Sequence, residues 1–123
     1  MAARWFVLGS VLGALGVALG AFGAHGLRSR VSPEMVAIWE TAAKYHLIHA
    51  LALLATAWAC DRWPGPATVA AGWLFLAGIV VFCGTLYALA LTGMRGLGAI
   101  TPLGGLAFIA GWVCLAVGAW RAR

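Results

Sequence analysis

Apolar residues fill four long stretches of the chain that hold no Asp, Glu, Lys or Arg, at 5–27, 45–60, 63–94 and 96–120. A hydrocarbon core about 30 Å thick is crossed by a helix of about 20 mostly apolar residues. The pattern therefore predicts an all-α polytopic membrane protein, a four-transmembrane-helix bundle. Its helices are expected at about 5–24, 33–60, 67–91 and 103–120, in a single transmembrane domain covering residues 1–123. Arg4 followed by an apolar run and small residues at Ala21–Ala24 also fits a secretory leader. The run is long for a leader core and right for a span, so a retained helix is expected.

Local signals sharpen these bounds. Gly9, Gly13, Gly16, Gly20 and Gly23 alternate spacings of four and three, which keeps all five on one helix face. Gly104, Gly111 and Gly118 form a second small-residue stripe on the last helix. Such stripes let backbones approach closely in lipid, and packing within one bundle is favoured here over a dimer contact. Ser32-Pro33-Glu34 is a helix start, with an N-cap Ser, Pro at the first position and an acid in the first turn. The segment from there to Lys44 mixes Glu34, Trp39, Glu40 and Lys44 with apolar residues and reads as a short interfacial amphipathic segment before helix two. Glu40 and Lys44 are spaced for a helical ion pair worth about 0.2–0.5 kcal/mol. Asp61-Arg62-Trp63-Pro64-Gly65-Pro66 is a turn, and 92–98 forms the last connection.

Four crossings place the N-terminus, the 61–66 turn and the C-terminus on one side of the membrane. Trp5, Trp58, Trp63 and Trp120 fall near that side, as an interfacial aromatic belt would. Trp73 and Trp112 read as packing residues further in. On the other side gather His25, Trp39, Glu40, Tyr45, His46, His49, Tyr87, Thr92, Arg95 and Thr101, which form the candidate polar cluster.

Composition agrees with the pattern. Charged residues make up 9% of the chain and mean hydropathy is +1.00, where a soluble domain carries about 25% charged residues. The net charge of +5 does not point to nucleic acid, because Arg4, Arg28, Arg30, Arg62, Arg95, Arg121 and Arg123 flank apolar stretches, where cations meet lipid head groups. Membrane lipids are the expected partners, with a larger membrane complex or a homo-oligomer also open. Basic residues divide evenly between the two sides. Because Lys44 belongs to a helix, the balance leans to both termini inside. Cys60, Cys83 and Cys114 are scattered, with no ligand spacing.

Three motifs carry a resemblance. Gly23-Ala24-His25-Gly26-Leu27 is the first. The second is Trp39-Glu40-Thr41-Ala42 followed by Tyr45 and His49-Ala50-Leu51-Ala52-Leu53. The third is Leu86-Tyr87 with Leu91-Thr92-Gly93, leading into Leu97-Gly98-Ala99-Ile100-Thr101-Pro102-Leu103-Gly104-Gly105. Together they resemble a family of small four-helix membrane proteins typified by bacterial YgdD, over nearly the whole chain and in the same order. The resemblance implies four transmembrane helices in a bacterial inner membrane or a mitochondrial setting, and it carries no biochemical activity. His46 departs from the family pattern, which more usually has Gln there.

Histidines near one another invite a metal, since imidazole suits several transition metals. His46 and His49 share a helix face, but no fourth ligand or HExxH spacing accompanies them, so no metal and no other cofactor is expected. The favoured reading has His25 and His49 hydrogen-bonding exposed backbone and hydroxyl groups at helix ends, which lipid cannot satisfy. A nucleophile–base set is absent from the sequence, and no enzyme activity is expected. What remains is a structural or accessory protein, or a binder of a lipid or small amphipathic ligand at the His/Tyr/Thr-rich end. The alternative is a small transporter or channel subunit. Against a proton-coupled pump, Glu34, Glu40 and Asp61 all lie in or beside connections.

Overall fold

The structure, a computed structural model, describes residues 2–122. Met1 and Arg123, the latter one of the cations on the terminal side, lie outside the described residues. Among those described, the architecture is entirely helical. Helix α1 (Ala2–Ala24) is followed by a 3-10 turn at Leu27–Ser29 and by α2 (Pro33–Arg62). Helix α3 (Pro66–Gly78) continues through a π-helical turn at Ile79–Cys83 into α4 (Gly84–Thr92), forming one rod. A second 3-10 turn at Arg95–Ala99 leads into α5 (Thr101–Arg121). Three segments are long and apolar enough to cross a membrane: Ala2–Ser29, Pro66–Thr92 and Arg95–Arg121.

The helix ends follow from local chemistry. The Ser32 hydroxyl accepts the Met35 N–H at 3.3 Å, and Pro33 occupies the first turn, where no N–H is needed. Pro66 opens α3 behind Gly65, whose φ of 154° favours glycine. Gly93 closes α4 in the left-handed region at φ 72°, its N–H bonding Leu89 O at 2.8 Å.

Packing is sequential. Helix α1 lies along α2, α2 along the α3–α4 rod, and α5 along α3 and the π turn, while α2 and α5 meet mainly through side chains. The first glycine stripe faces α2. A Cβ built on Gly9 would lie 2.9 Å from Ala50 O, and one on Gly23 would lie 2.5 Å from Trp39 Cδ1. At Gly13 and Gly20 the nearest atoms, the Ala50 and Ala43 methyls, stand 4.0 Å away. The second stripe faces the rod: Gly104 meets the Phe82 backbone, Gly111 the Phe75 ring and Gly118 the Thr68 methyl. Where lipid is as apolar as the side chains, such close approach and its dispersion contacts replace the hydrophobic drive of water.

Three expectations are corrected. Residues 33–44 do not form a separate amphipathic segment. They are the first turns of one continuous helix of 30 residues, and Val36, Trp39, Ala42 and Ala43 are buried within it. Trp39 and Ala43 are the side chains that meet the glycine face of α1, so this part of α2 continues along α1. Glu40 also turns away from Lys44 and bonds Arg28 at 3.3 Å. Trp5 leaves the expected interfacial belt: it is 0% exposed, packs over Gly72 and meets Trp73 edge-on at 5.1 Å. Trp58 and Trp120 are exposed.

Candidate functional site

The ten candidate residues do not form a single polar end. Six of them divide among three separate sets of contacts, and the other four lie on the loop surface.

The first group joins α1, α2 and α4. His46 Nε2 donates to Leu12 O at 2.8 Å, halfway along α1. With that proton on Nε2, Nδ1 of the neutral ring accepts the Tyr87 hydroxyl at 2.9 Å. Trp39 Nε1 donates to Leu19 O at 2.8 Å, and its ring lies 4.6 Å from that of Tyr87. Donors at 39 and 46 on α2 thus meet carbonyls at 19 and 12 on α1, one heptad apart on each helix.

The second group lies between α2 and α5. His49 Nδ1 bonds Tyr45 O at 2.8 Å, and Trp112 Nε1 donates to His49 Nε2 at 3.1 Å. An indole N–H only donates and a carbonyl only accepts, so His49 is a neutral ring with its proton on Nδ1. It is the opposite tautomer to His46. The His49 ring lies flat on Phe108 at 3.6 Å and 10°. Tyr45 lies nearly parallel to both, at 10° to His49 and 14° to Phe108. These rings line a groove of about 570 Å³ together with Phe82 of the π turn, Pro102, Gly105 and Trp112. Leu106 and Ile109, each 62% exposed, form its open wall. No charged side chain lines it.

The third group joins the rod to α5. Thr101 and Thr85 share a hydroxyl–hydroxyl bond of 2.6 Å, and Thr85 Oγ1 reaches Val81 O inside the π turn, also at 2.6 Å. That turn shifts the regular backbone pairing by one residue, and the Thr85 hydroxyl gives the Val81 carbonyl an added donor.

The remaining candidates sit on the loop surface. His25 is exposed, and its ring has no hydrogen bond among the described residues. Glu40 pairs with Arg28, and Arg95 pairs with Glu34 at 3.2 Å, both exposed. Thr92 donates to Ala88 O at 2.6 Å and caps the turn by accepting the Met94 N–H. None of the four lines the groove. Among the described residues no group of three or more His, Cys, Asp and Glu is arranged to hold a metal ion.

Sequence reading missed Phe82, Phe108, Gly105 and Thr85 as site residues, and took Trp112 for packing alone. Aromatic residues inside an apolar run carry no mark that separates a groove wall from core. The carbonyls of Leu12 and Leu19 are invisible to any side-chain pattern.

Apolar helices of spanning length define the class as an integral membrane protein of several passes. The chain belongs to the family described as "Protein of unknown function (DUF423)", whose model matches residues 19–105. It is similar to the UPF0382 membrane protein YwdK of Bacillus subtilis strain 168, 47% identical over 116 residues and covering 94% of each chain. UPF0382 membrane protein SSP2132 of Staphylococcus saprophyticus is 42% identical over 123 residues, covering 95% of this chain and 97% of its own. UPF0382 membrane protein SERP0230 of Staphylococcus epidermidis is 44% identical over 119 residues, covering 92% of each chain. No solved structure matches the chain. The family match takes in His46, His49, Tyr87 and Gly105 and stops short of Phe108 and Trp112.

Proposed function

We propose that this protein is a four-crossing membrane bundle that takes a small amphipathic molecule from the bilayer into the groove between α2 and α5, without chemistry of its own. Helix α2 is the fourth crossing because it runs antiparallel to α1 along the entire glycine stripe, from Trp39 beside Gly23 to Leu54 beside Gly9. If α1 spans the bilayer, α2 is bounded by the same two planes. Its charged residues lie accordingly: Glu34, Glu40 and Lys44 toward one end, Asp61 and Arg62 at the other.

The observation that carries the binding role is the groove itself. Its volume of about 570 Å³ lies within the range of small-molecule sites, and a few placed polar groups accompany its apolar lining. It opens sideways toward lipid, whereas a conduction path would open at the two faces. That geometry favours a binder or accessory subunit over a transporter or channel.

The test is extraction into nanodiscs without detergent exchange, followed by mass spectrometry of the lipophilic fraction. A stoichiometric lipophile present with the wild type and depleted with Gly105→Leu is the expected result. The same lipid profile for both proteins, matching the bulk membrane, would overturn the binding role.

A further inference from the structure

We propose that the molecule held in this groove is a lipid-soluble quinone: a neutral, flat, unsaturated ring bearing carbonyl oxygens on a hydrocarbon tail. This rests on the reading of the groove as a ligand site and adds the chemistry of its occupant.

Shape comes first. The planes of Tyr45, His49 and Phe108 lie within 14° of one another. His49 and Phe108 already cover each other and are 3% and 4% exposed, so the open face is that of Tyr45; a flat guest lying on it continues the parallel set, while Trp112 stands at 62° to His49 and offers an edge. Offset stacking and edge contacts are the favoured arrangements of aromatic rings. A saturated acyl chain gains nothing from aligned planes.

Charge comes next. No Asp, Glu, Lys or Arg lines the groove, so a charged head group would enter uncompensated, at high cost in hydrocarbon. The guest is neutral.

Hydrogen bonding sets the third condition. Both ring nitrogens of His49 are engaged, one with Tyr45 O and the other with the Trp112 N–H. The Tyr45 hydroxyl has no hydrogen-bond partner among the described residues, and Tyr45 is 37% exposed on the groove. An O–H in hydrocarbon without an acceptor is costly. Lipid tails supply no acceptor, whereas a ring carbonyl does. The exposed Leu106 and Ile109 on the open wall give an attached tail an apolar exit. The binding is non-covalent and calls for no electron transfer.

The test uses the full chain in nanodiscs of phosphatidylcholine free of quinone, titrated with decylubiquinone, with indole emission as the readout. Quinone rings quench indoles on contact, so occupancy adds a saturable component to the linear collisional quenching of lipid-facing tryptophans. The wild type should show that component, and Trp112→Phe should lose it. Gly105→Leu should also lose it with Trp112 still present. Folding of that variant is favoured because the nearest atom to a new Cβ is a Phe82 ring carbon at 3.9 Å. Tyr45→Phe, which keeps the ring, should weaken half-saturation about fivefold.

Quenching that is only linear, and the same in wild type and Gly105→Leu, would overturn the quinone. A brominated-chain phosphatidylcholine separates this failure from that of the groove. If it quenches Trp112 saturably and decylubiquinone does not displace it, the groove is a ligand site and the quinone is wrong. If neither probe saturates, both readings fall.

Discussion

A glycine four residues beyond a backbone carbonyl leaves that carbonyl uncovered, because a helical side chain leans over the turn before it. Gly16 and Gly23 stand in that relation to Leu12 and Leu19, whose carbonyls receive His46 and Trp39. A Cβ at Gly23 would lie 2.9 Å from Trp39 Nε1, and one at Gly16 would lie 2.8 Å from Leu47 Cδ2 and 3.2 Å from His46 Cδ2. Gly23→Ala, and to a lesser degree Gly16→Ala, should therefore cost about 1–3 kcal/mol in reversible unfolding. Gly13→Ala and Gly20→Ala, where the nearest atom is 4.0 Å away, should be neutral or stabilising by up to about 1 kcal/mol. Equal effects at all four positions would contradict the carbonyl account. The histidines give a second residue-level test. Nitrogen-15 NMR should find Nδ1 unprotonated in His46 and Nε2 unprotonated in His49. Gln at 46 offers an amide N–H to Leu12 O and an amide oxygen to the Tyr87 hydroxyl. His46→Gln should thus stay within about 0.5 kcal/mol of wild type, while His46→Leu loses about 1–2 kcal/mol. The imidazole here is one solution to a donor–acceptor demand that an amide also meets.

The π turn at Ile79–Cys83 absorbs one added residue in the α3–α4 rod, so the residues after it keep their rotation. Two contacts depend on that rotation: Tyr87 with His46 and Thr85 with Thr101. Val80 is 64% exposed, so deleting it removes little packing of its own. The deletion lets a regular α-helix carry both hydroxyls to nearly the same place. Unfolding within about 1 kcal/mol of wild type and an unchanged His46 nitrogen shift are expected. A changed shift would show that the π turn does more than absorb a residue. This turn was not legible in the sequence. Its residues, IVVFC, carry no glycine, proline or polar mark of irregular backbone, although α5 packs closely against it at Gly104. The glycine stripes were legible because a period of three and four fixes a face regardless of partner. The standing of residues 33–44 was not, because charge content alone does not tell a helix lying flat from one held upright by a neighbour. Of the site, the sequence exposed Tyr45, His46, His49 and Tyr87. It gave no sign of their depth or of the division into separate groups, since the carbonyls and aromatic faces that hold them carry no pattern.

As a whole, the molecule is a chain of neighbours, with α1 on α2, α2 on the rod and the rod on α5, left open where the series does not close. The groove lies between α2 and α5 beside Phe82 of the rod, so its place in the bilayer depends on α2 being a true crossing. Two exposed ion pairs, Arg28–Glu40 and Arg95–Glu34, tie both loops of one face to the start of α2. Exposed pairs of this kind add at most about 1 kcal/mol each, so they set register more than they hold the bundle together. The most direct test is the sidedness of the two ends of α2. In a background with Cys60, Cys83 and Cys114 replaced by Ala, single cysteines are placed at Ser29 and at Pro64 and probed with a membrane-impermeant maleimide in sealed vesicles of known orientation. Four crossings predict that the two positions label from opposite sides of the bilayer. Labelling of both from the same side would leave α2 outside the membrane and contradict the account.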